Sequence, residues 1–331
     1  MANRLTIILS SYNRPNLLRR AVDSCRTQVD RGFDLVIFDD ASQEDTRQYL
    51  RSVQHDPMVS VLIMNATNLG FSASVNAALH AVQTEWATIL CDDDFLDANF
   101  VASSRVALER SDKDCIVASF HQVDAKGRVL KSFTQQQQSL DTAQALAANL
   151  PIAGISGFFF RIGRRTDRNL MRDYPRSFFS DTLFAIEFML ANGVDTSADA
   201  YYYKTVWDQS ESALDAHSAR QFFEAMLRYR EELASLLEHH GASGEIKSSL
   251  LKPMSLLHFT RVLLLPILAR GALSRSDIDA WFVLARRYDP AFIPHCWLVS
   301  VAWLVANHRT LGIRKLAHRA YRRWIMRRPV R

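Results

Sequence analysis

Short apolar, β-branched runs alternate with helical patterns over residues 1–130, and this alternation constrains the fold more than any other feature of the chain. The strand-like runs lie at residues 5–9, 35–38, 59–64, 87–90 and 115–120, and the helical patterns lie at 15–28, 44–53, 72–82 and 98–110. Such alternation is typical of βαβ units that build a mostly parallel sheet. We therefore predict an α/β fold with a mixed, mostly parallel sheet and helices on both of its faces.

The sequence pattern changes after this region. Strand-like runs follow at 129–133, 155–162 and 201–206, with a helical pattern at 182–191. The polar tract at 135–138 predicts a loop. Beyond residue 217 every pattern is helical. We expect a catalytic α/β domain over residues 1–215 and an all-helical region over 216–331.

The net charge is unevenly distributed. Forty Lys and Arg against 35 Asp and Glu give +5 and a pI near 9.1, which at first favours nucleic-acid binding. Nine of the 40 basic residues lie between 309 and 331, a stretch without acids. The other 31 stand against all 35 acidic residues, so residues 1–308 carry a net charge of −4. The basicity belongs to a C-terminal tail rather than to the body of the chain.

The tail has an amphipathic pattern. Its apolar residues recur at helical spacing, and they are Ile313, Leu316, Ala317, Ala320 and Trp324. Its basic residues fall on the opposite side. This pattern predicts binding of residues 309–331 to an anionic membrane surface. Packing of the apolar stripe on the body is the alternative, and nucleic acid is not expected because no reader motif accompanies the tail.

The cysteines and the apolar runs bear on localisation. The four cysteines show no zinc-like or CxxC spacing, which is typical of a reducing compartment. No uncharged apolar run reaches the roughly 18 residues that a spanning helix needs. We expect a cytoplasmic protein, peripheral on the cytoplasmic face of the membrane. The sequence predicts no oligomeric state.

Three consecutive carboxylates follow the strand predicted at 87–90. They are Asp92, Asp93 and Asp94, here called the acidic triplet. Like charges packed this closely repel unless water screens them or a cation lies among them. Mg²⁺ and Mn²⁺ prefer oxygen ligands and typically bind one or two protein carboxylates together with substrate phosphates. The triplet therefore indicates a divalent metal site, with a solvated turn that caps the next helix as the alternative.

Further polar motifs lie at the ends of the first strands. Strand one ends in Ser10-Ser11-Tyr12-Asn13-Arg14, strand two ends in Asp39-Asp40-Ala41-Ser42, and Asn68-Leu69-Gly70-Phe71 comes later with Asn76 following. In an open α/β sheet this edge is where ligands bind. In this order, with the acidic triplet next, the motifs resemble those of family 2 glycosyltransferases of the GT-A fold, of the bacterial polysaccharide or O-antigen type. The resemblance covers roughly residues 4–210.

The resemblance implies how a nucleoside diphosphate sugar is held. Ser10 and Tyr12 would line the base pocket, with the tyrosine ring as a stacking surface. Asp40 would accept the N3–H of uracil or thymine, so UDP- and dTDP-sugars are favoured as donors. Asn68 and Gly70 would shape the loop over the ribose and the diphosphate. The alternative for the acids that end strand two is an Asx turn with a helix cap.

The same resemblance assigns the acidic triplet to the metal and the nucleotide. Asp93 and Asp94 match the acidic pair on the metal side, and Asp94 is the preferred direct ligand of Mg²⁺ or Mn²⁺. Asp92 occupies the variable position beside them. Many relatives carry Arg or Lys directly before the position of Asn76, where this chain has Val75. Phosphate charge must then be neutralised more by the metal or by another basic residue.

Asp181 is the candidate general base. The acceptor hydroxyl must ionise as the anomeric carbon is attacked, which requires a carboxylate near hydrogen-bond reach. In relatives this residue lies at the N-terminus of a helix after the metal motif, and residues 179–184 match that segment. Asp181 is also compatible with a simpler role as a first-turn acid of the helix at 182–191. Glu187 on the same helix leaves some ambiguity.

The resemblance implies a metal-dependent, inverting glycosyltransferase of the hexosyltransferase type. It would move a sugar from a nucleoside diphosphate to a hydroxyl of a glycan, lipid-linked in our interpretation, in cell-surface polysaccharide synthesis. A sugar nucleotidyltransferase is one alternative, although the loop at 10–14 lacks the glycine expected of it. A non-catalytic membrane scaffold with a degenerate transferase domain is the other. Val75 and the lack of an expected His at 204–209 favour the scaffold.

Overall fold

The predicted α/β alternation is present in the computed structural model, which describes residues 3–147, 154–174, 179–206, 218–244 and 246–247. The strands are β1 (Leu5–Ser11), β2 (Phe33–Asp39), β3 (Val59–Met64), β4 (Trp86–Leu90), β5 (Phe95–Leu96), β6 (Cys115–Val123), β7 (Val129–Phe133), β8 (Gln138–Leu140), β9 (Phe158–Phe160) and β10 (Val194–Thr205). The helices are α1 (Pro15–Arg26), α2 (Glu44–Val53), α3 (Phe71–His80), α4 (Phe100–Arg110), α5 (Thr142–Ala147), α6 (Ser180–Asn192) and α7 (Ser218–His239).

These strands form one mixed sheet. Its order is β3-β2-β1-β4-β9-β6-β10-β5, with β7 beside β6 and β8 beside β10. The first four strands in that order are parallel, β6 and β10 are parallel, and β9 runs antiparallel between β4 and β6. From β1 the chain moves outward to β2 and β3 and then returns to β4 on the other side of β1. The strand order therefore reverses between β1 and β4, which places a cleft at their carboxyl ends.

The central strands are buried on both faces. Every residue of β1 and of β4 is buried, as are nearly all residues of β2. Burial on both faces explains why these strands are continuous apolar runs rather than alternating ones. Each fully buried Leu or Ile side chain contributes about 1.5–3 kcal/mol relative to exposure. The sheet is thus a rigid support for the polar residues at its edge.

Some predicted elements were wrong. The strand predicted at 155–162 is a 3₁₀ turn, Ile155–Gly157, followed by the short β9 and a second 3₁₀ turn, Ile162–Arg164. After β9, the buried Arg161 donates to the carbonyl of Lys113 (3.0 Å) and pairs with Glu85 (2.7 Å). These tertiary bonds end the strand there. Residues 135–137 of the tract predicted as a loop form neither helix nor strand, whereas its last residue, Gln138, begins β8, which pairs with β10.

The C-terminal predictions are only partly covered by the structure. The helix predicted from residue 220 is α7, whereas the rest of the predicted helical region, with the basic tail at 309–331, lies outside the described residues. The boundary predicted at residue 215 also falls in an undescribed stretch. One compact unit contains the described residues up to 206 together with 236–242. Among the described helices, none has the length and apolar character to cross a membrane.

Candidate functional site

The motifs that end β1, β2 and β4 meet at the carboxyl edge of the sheet. The amide of Asp40 donates to the carbonyl of Ser11 (3.0 Å). The amide of Asp92 donates to Oγ of Ser10 (3.3 Å), and the amide of Tyr12 donates to Oδ2 of Asp92 (3.2 Å). The structure therefore brings these predicted site residues together at the point where the strand order reverses.

Asp40 holds the loop that precedes α3. Its Oδ1 accepts the amide of Leu69 (2.7 Å) and Nδ2 of Asn65 (3.0 Å), and its Oδ2 accepts the amide of Gly70 (2.9 Å). Nδ2 of Asn68 donates to the carbonyl of Asp40 (3.3 Å), and Gly70 has a φ of +85°, which favours glycine. A carboxylate offers about four acceptor positions, so these three bonds leave room for one more N–H donor.

Asp39 has a different role from its neighbour. It is fully buried, and its carboxylate accepts Oγ of Ser11 (3.2 Å) and the amide of Ser42 (3.1 Å). This is the turn-stabilising arrangement that was the alternative for the pair. Within the described part of the chain, Asp39 therefore supports the turn after β2, while Asp40 supports the loop before α3.

Asp94 accepts protein hydrogen bonds at both of its carboxylate oxygens. Its Oδ2 accepts Oγ of Ser156 (2.8 Å) and its Oδ1 accepts the amide of Thr205 (2.9 Å). Burial, followed by the negative charge of Asp93, raises the pKa of Asp94 to about 7. The positive charge of Lys204 acts in the opposite direction. At neutral pH the carboxyl group of Asp94 is therefore partly protonated, and a bound cation would displace the proton.

The donor set fits a divalent cation. Ligand atoms of Cys91, Asp93 and Asp94 lie within 4.8 Å of one another. The side chain of Asp93 is 17% exposed, whereas Asp94 is buried and both of its oxygens accept protein hydrogen bonds. Two carboxylates with open positions for substrate oxygens suit Mg²⁺ or Mn²⁺. Asp93 is the more accessible of the two carboxylates.

Two arginines that the sequence did not single out flank the acidic triplet. Nη1 of Arg14 lies 3.1 Å from Oδ1 of Asp92 and 3.0 Å from Oδ2 of Asp93. Nη2 of Arg20 donates to the carbonyl of Asp93 (2.7 Å) and to Oγ1 of Thr205 (2.8 Å). Arg14 therefore contacts side chains of the triplet, whereas Arg20 contacts its backbone. These two positive charges reduce the repulsion among the three acids.

Arg20 is fixed from its other side by an aromatic pair. Its guanidinium carbon lies 4.5 Å from the ring centre of Phe95, which stacks on Tyr203 at 4.5 Å and 7°. Burial lowers the pKa of Arg20, while the charges of Asp94 and Asp93 oppose that shift. Arg20 thereby connects α1 to the ends of β4 and β10, and it holds the loop that carries the triplet.

Asp181 lies in the first turn of α6, and the start of α6 is hydrogen-bonded to the start of α3. Oγ of Ser72, in the first turn of α3, donates to Oγ of Ser180 (3.0 Å). Oδ1 of Asp181 accepts the amide of Thr182 (2.7 Å). Because Asp40 holds the loop that enters α3, the starts of α3 and α6 are linked to it by hydrogen bonds. Glu187, the alternative carboxylate, pairs with Arg172 (2.6 Å).

Backbone strain is concentrated at this edge. Among the described residues, the non-glycine residues with positive φ are Asn13 (54°), Ala41 (60°) and Phe179 (67°). They follow β1, follow β2 and precede Ser180, respectively. A non-glycine residue in this region costs roughly 1–2 kcal/mol. Such strain tends to occur at functional sites, where the surrounding structure enforces it.

Asn76 and its neighbour have structural roles. The side chain of Asn76 donates to the carbonyl of Met171 (2.8 Å) and accepts its amide (2.8 Å), and Val75 is fully buried in α3. The segment at 169–171 is therefore fastened to α3 by side-chain bonds. Of the stretch at 204–209 that lacks the expected His, residues 207–209 lie outside the described residues.

Comparison with known proteins gives a consistent family. Residues 6–193 match the sequence profile described as Glycosyl transferase family 2. A curated relative is GalNAc(5)-diNAcBac-PP-undecaprenol beta-1,3-glucosyltransferase of Campylobacter jejuni, 23% identical over 164 residues, which cover 49% of this chain and 52% of the relative. The chain thus matches about half the length of that relative.

Solved structures share the fold at low sequence identity. S. aureus TarS 1–349 in complex with UDP-GlcNAc superposes with a TM-score of 0.63 at 16% identity, covering 97% of this chain and 92% of that one. GalNAc-T7 with UDP, GalNAc and Mn²⁺ gives a TM-score of 0.50 at 11% identity, covering 79% and 58%. These likenesses confirm the predicted GT-A type of α/β fold.

Proposed function

Because this chain belongs to glycosyl transferase family 2, we propose that it transfers a sugar from a UDP- or dTDP-sugar to a hydroxyl of a glycan with the help of a divalent metal. Family membership makes the chain a glycosyltransferase rather than a nucleotidyltransferase. The observation that carries the finer proposal is the convergence of Asp40, the acidic triplet and the start of α6 at one edge of the sheet. The matched region contains all of these residues.

The base pocket is proposed between the ends of β1 and β2. The Tyr12 side chain is 38% exposed there and offers a ring face for stacking. The remaining acceptor position of Asp40 suits the N3–H of a pyrimidine base. TarS, with the same fold, was solved with UDP-GlcNAc, which supports a uridine nucleotide. Ser10 orders the neighbouring turn through Asp92.

The diphosphate is proposed to lie over the acidic triplet, with the metal held by Asp93 and Asp94. GalNAc-T7 was solved with UDP and Mn²⁺, which supports a divalent metal beside the nucleotide. When bound, the cation would stabilise the charge that develops on the departing diphosphate. Asp92 keeps the turn after β1 in place, and the loop at Asn68 and Gly70 covers the ribose side. Ser156 and Thr205 orient the Asp94 carboxylate.

Asp181 is proposed to accept the proton of the acceptor hydroxyl. As the acceptor oxygen bonds to the anomeric carbon, the bond from that carbon to the diphosphate oxygen breaks, and the hydroxyl proton moves to the carboxylate of Asp181. A single displacement of this kind inverts the anomeric centre. Asp181 belongs to the first turn of α6, and hydrogen bonds at Ser180 and Thr182 hold that turn in place.

The acceptor is proposed to be lipid-linked and reached at a membrane surface. The Campylobacter relative is named for an undecaprenol-linked substrate, and the tail at 309–331 carries nine basic residues. Deleting 309–331 is expected to abolish co-sedimentation with vesicles that contain anionic lipid, because each Lys or Arg near such a surface contributes about 1 kcal/mol. Unchanged co-sedimentation of a folded, truncated protein would contradict the membrane proposal.

A thermal-shift panel tests the donor. UDP-, dTDP- and GDP-sugars are compared with Mn²⁺ and with EDTA. A ligand at 100 times its Kd stabilises the folded state by about 2.7 kcal/mol, which raises Tm by several degrees. We expect that shift for the UDP- or dTDP-sugars only with Mn²⁺, and a smaller one for the GDP-sugars. A preference for GDP-sugars, or shifts that EDTA does not change, would reject the proposed donor or the metal.

A further inference from the structure

The guanidinium of Arg14 lies against two members of the acidic triplet, over which the metal and the diphosphate are proposed to bind. Arg14 is the residue that precedes α1, and its carbonyl accepts the amide of Leu18 (2.9 Å), so the helix fixes its backbone. Its Nη1 contacts carboxylate oxygens of Asp92 and Asp93 at 3.1 and 3.0 Å. The exposed fractions are 19% for the Arg14 side chain and 17% for that of Asp93, so solvent and small ligands reach this ion pair.

A divalent cation and Arg14 share one carboxylate. Asp93 contacts the guanidinium, and it also contributes a ligand atom to the cluster with Cys91 and Asp94. Two positive charges bound to the same carboxylate repel each other strongly in a partly buried site. A cation at Asp93 and Asp94 therefore weakens the bond between Arg14 and Asp93. The guanidinium keeps its contact with Asp92, and the N–H that bonded Asp93 becomes available to another anion at the same location.

A diphosphate supplies that anion. A guanidinium binds phosphate oxygens with paired N–H donors in a geometry that lysine does not reproduce. The proposed donor would bring its diphosphate to the acidic triplet, whose Asp93 contacts Arg14. When the guanidinium leaves Asp93, Asp92 still accepts the amide of Tyr12, so the turn after β1 stays ordered.

We propose that Arg14 is a phosphate-binding residue of the donor site, which divalent metal displaces from Asp93 so that its guanidinium binds the diphosphate. This inference rests on the proposed function. Without nucleotide, Arg14 competes with the metal for Asp93. With nucleotide, Arg14 and the metal hold the diphosphate together, so each strengthens the binding of the other.

The test compares Arg14→Gln with the wild type in two binding measurements. Mn²⁺ binding without nucleotide is followed by electron paramagnetic resonance of the free ion, and UDP binding at saturating Mn²⁺ is followed by calorimetry. Arg14→Gln is expected to bind Mn²⁺ several-fold more tightly and UDP roughly 10–100-fold more weakly, since bonds to a charged group are lost. Uridine, which has no phosphate, is expected to bind both proteins equally.

Opposite signs distinguish this role from damage to the fold. Arg19→Gln is the matched control, because Arg19 lies on α1, which Arg14 precedes, and contacts the ring of Tyr49. This variant is expected to leave both affinities unchanged. Tighter Mn²⁺ binding with weaker UDP binding supports the inference, and any other combination in Arg14→Gln overturns it. A wild type that binds neither Mn²⁺ nor UDP instead overturns the proposed function itself.

Discussion

Asp181→Asn is expected to lower turnover of the sugar donor on the order of 10³-fold, because the amide cannot take the proton of the acceptor hydroxyl. The substitution keeps the size of the side chain and its acceptor oxygen for the amide of Thr182, so α6 should remain folded. The Kd for UDP with Mn²⁺ should stay within about twofold, since Asp181 contacts the acceptor in this account rather than the nucleotide. Turnover is measured as release of nucleoside diphosphate, and affinity by calorimetry.

Glu187→Gln is the matched control for this prediction. Glu187 lies on the same helix and pairs with Arg172. Its loss should reduce stability slightly and leave turnover near that of the wild type. Near-full turnover in Asp181→Asn would refute the assignment of the base. A large loss in Glu187→Gln alone would transfer that assignment to the other carboxylate of α6.

Asp93→Ala and Asp94→Ala are each expected to remove metal-dependent binding of the nucleotide. Both residues belong to the cluster whose ligand atoms converge, and removal of either carboxylate takes away one of the two negative charges that would hold a divalent cation there. Calorimetry should show that Mn²⁺ no longer increases the affinity for UDP in either variant. Asp97→Asn is the control, because Asp97 follows β5 rather than β4 and its carboxylate accepts the amide of Asn99 (2.9 Å) and the hydroxyl of Tyr203 (3.4 Å). Strong Mn²⁺-dependent UDP binding in Asp93→Ala would refute the metal site.

The wild type should also show a dependence on pH. The pKa of Asp94 is raised to about 7, so below that value a proton occupies the carboxyl and must leave when the metal binds. The affinity for Mn²⁺ is therefore expected to rise between roughly pH 6 and pH 8, since the metal binds the deprotonated form. Asp94→Ala should lack this rise.

Periodicity predicted the elements whose partners are near in sequence. The bounds of α2, β3 and β7 agree with the structure residue by residue. β10 was predicted only from residue 201, although it begins at Val194. Its first residues are small or acidic, and a register shift separates Ser197 from Tyr201, so local pattern does not reveal the pairing with β6.

The acids of the candidate site could be predicted, whereas their partners could not. Asp40 and the acidic triplet follow apolar strands directly, which marks them as edge residues. Arg20 reaches Thr205 across 185 positions in the sequence, and Ser156 reaches Asp94 across 62. Only the packing of α1, β4, β9 and β10 brings these pairs together. Arg14 was visible in the sequence as the last residue of the motif that ends β1. A single arginine at the start of a helix does not by itself indicate a ligand, so no role was predicted for it.

The most direct test of the central claim is release of nucleoside diphosphate by the wild-type protein. UDP-, dTDP- and GDP-sugars are supplied in turn, with free and lipid-linked glycans as acceptors, in Mn²⁺ and in EDTA. The account predicts release of UDP or dTDP in Mn²⁺ and its loss in EDTA. A folded protein that releases no nucleoside diphosphate from any of these donors would contradict the account and favour a non-catalytic scaffold.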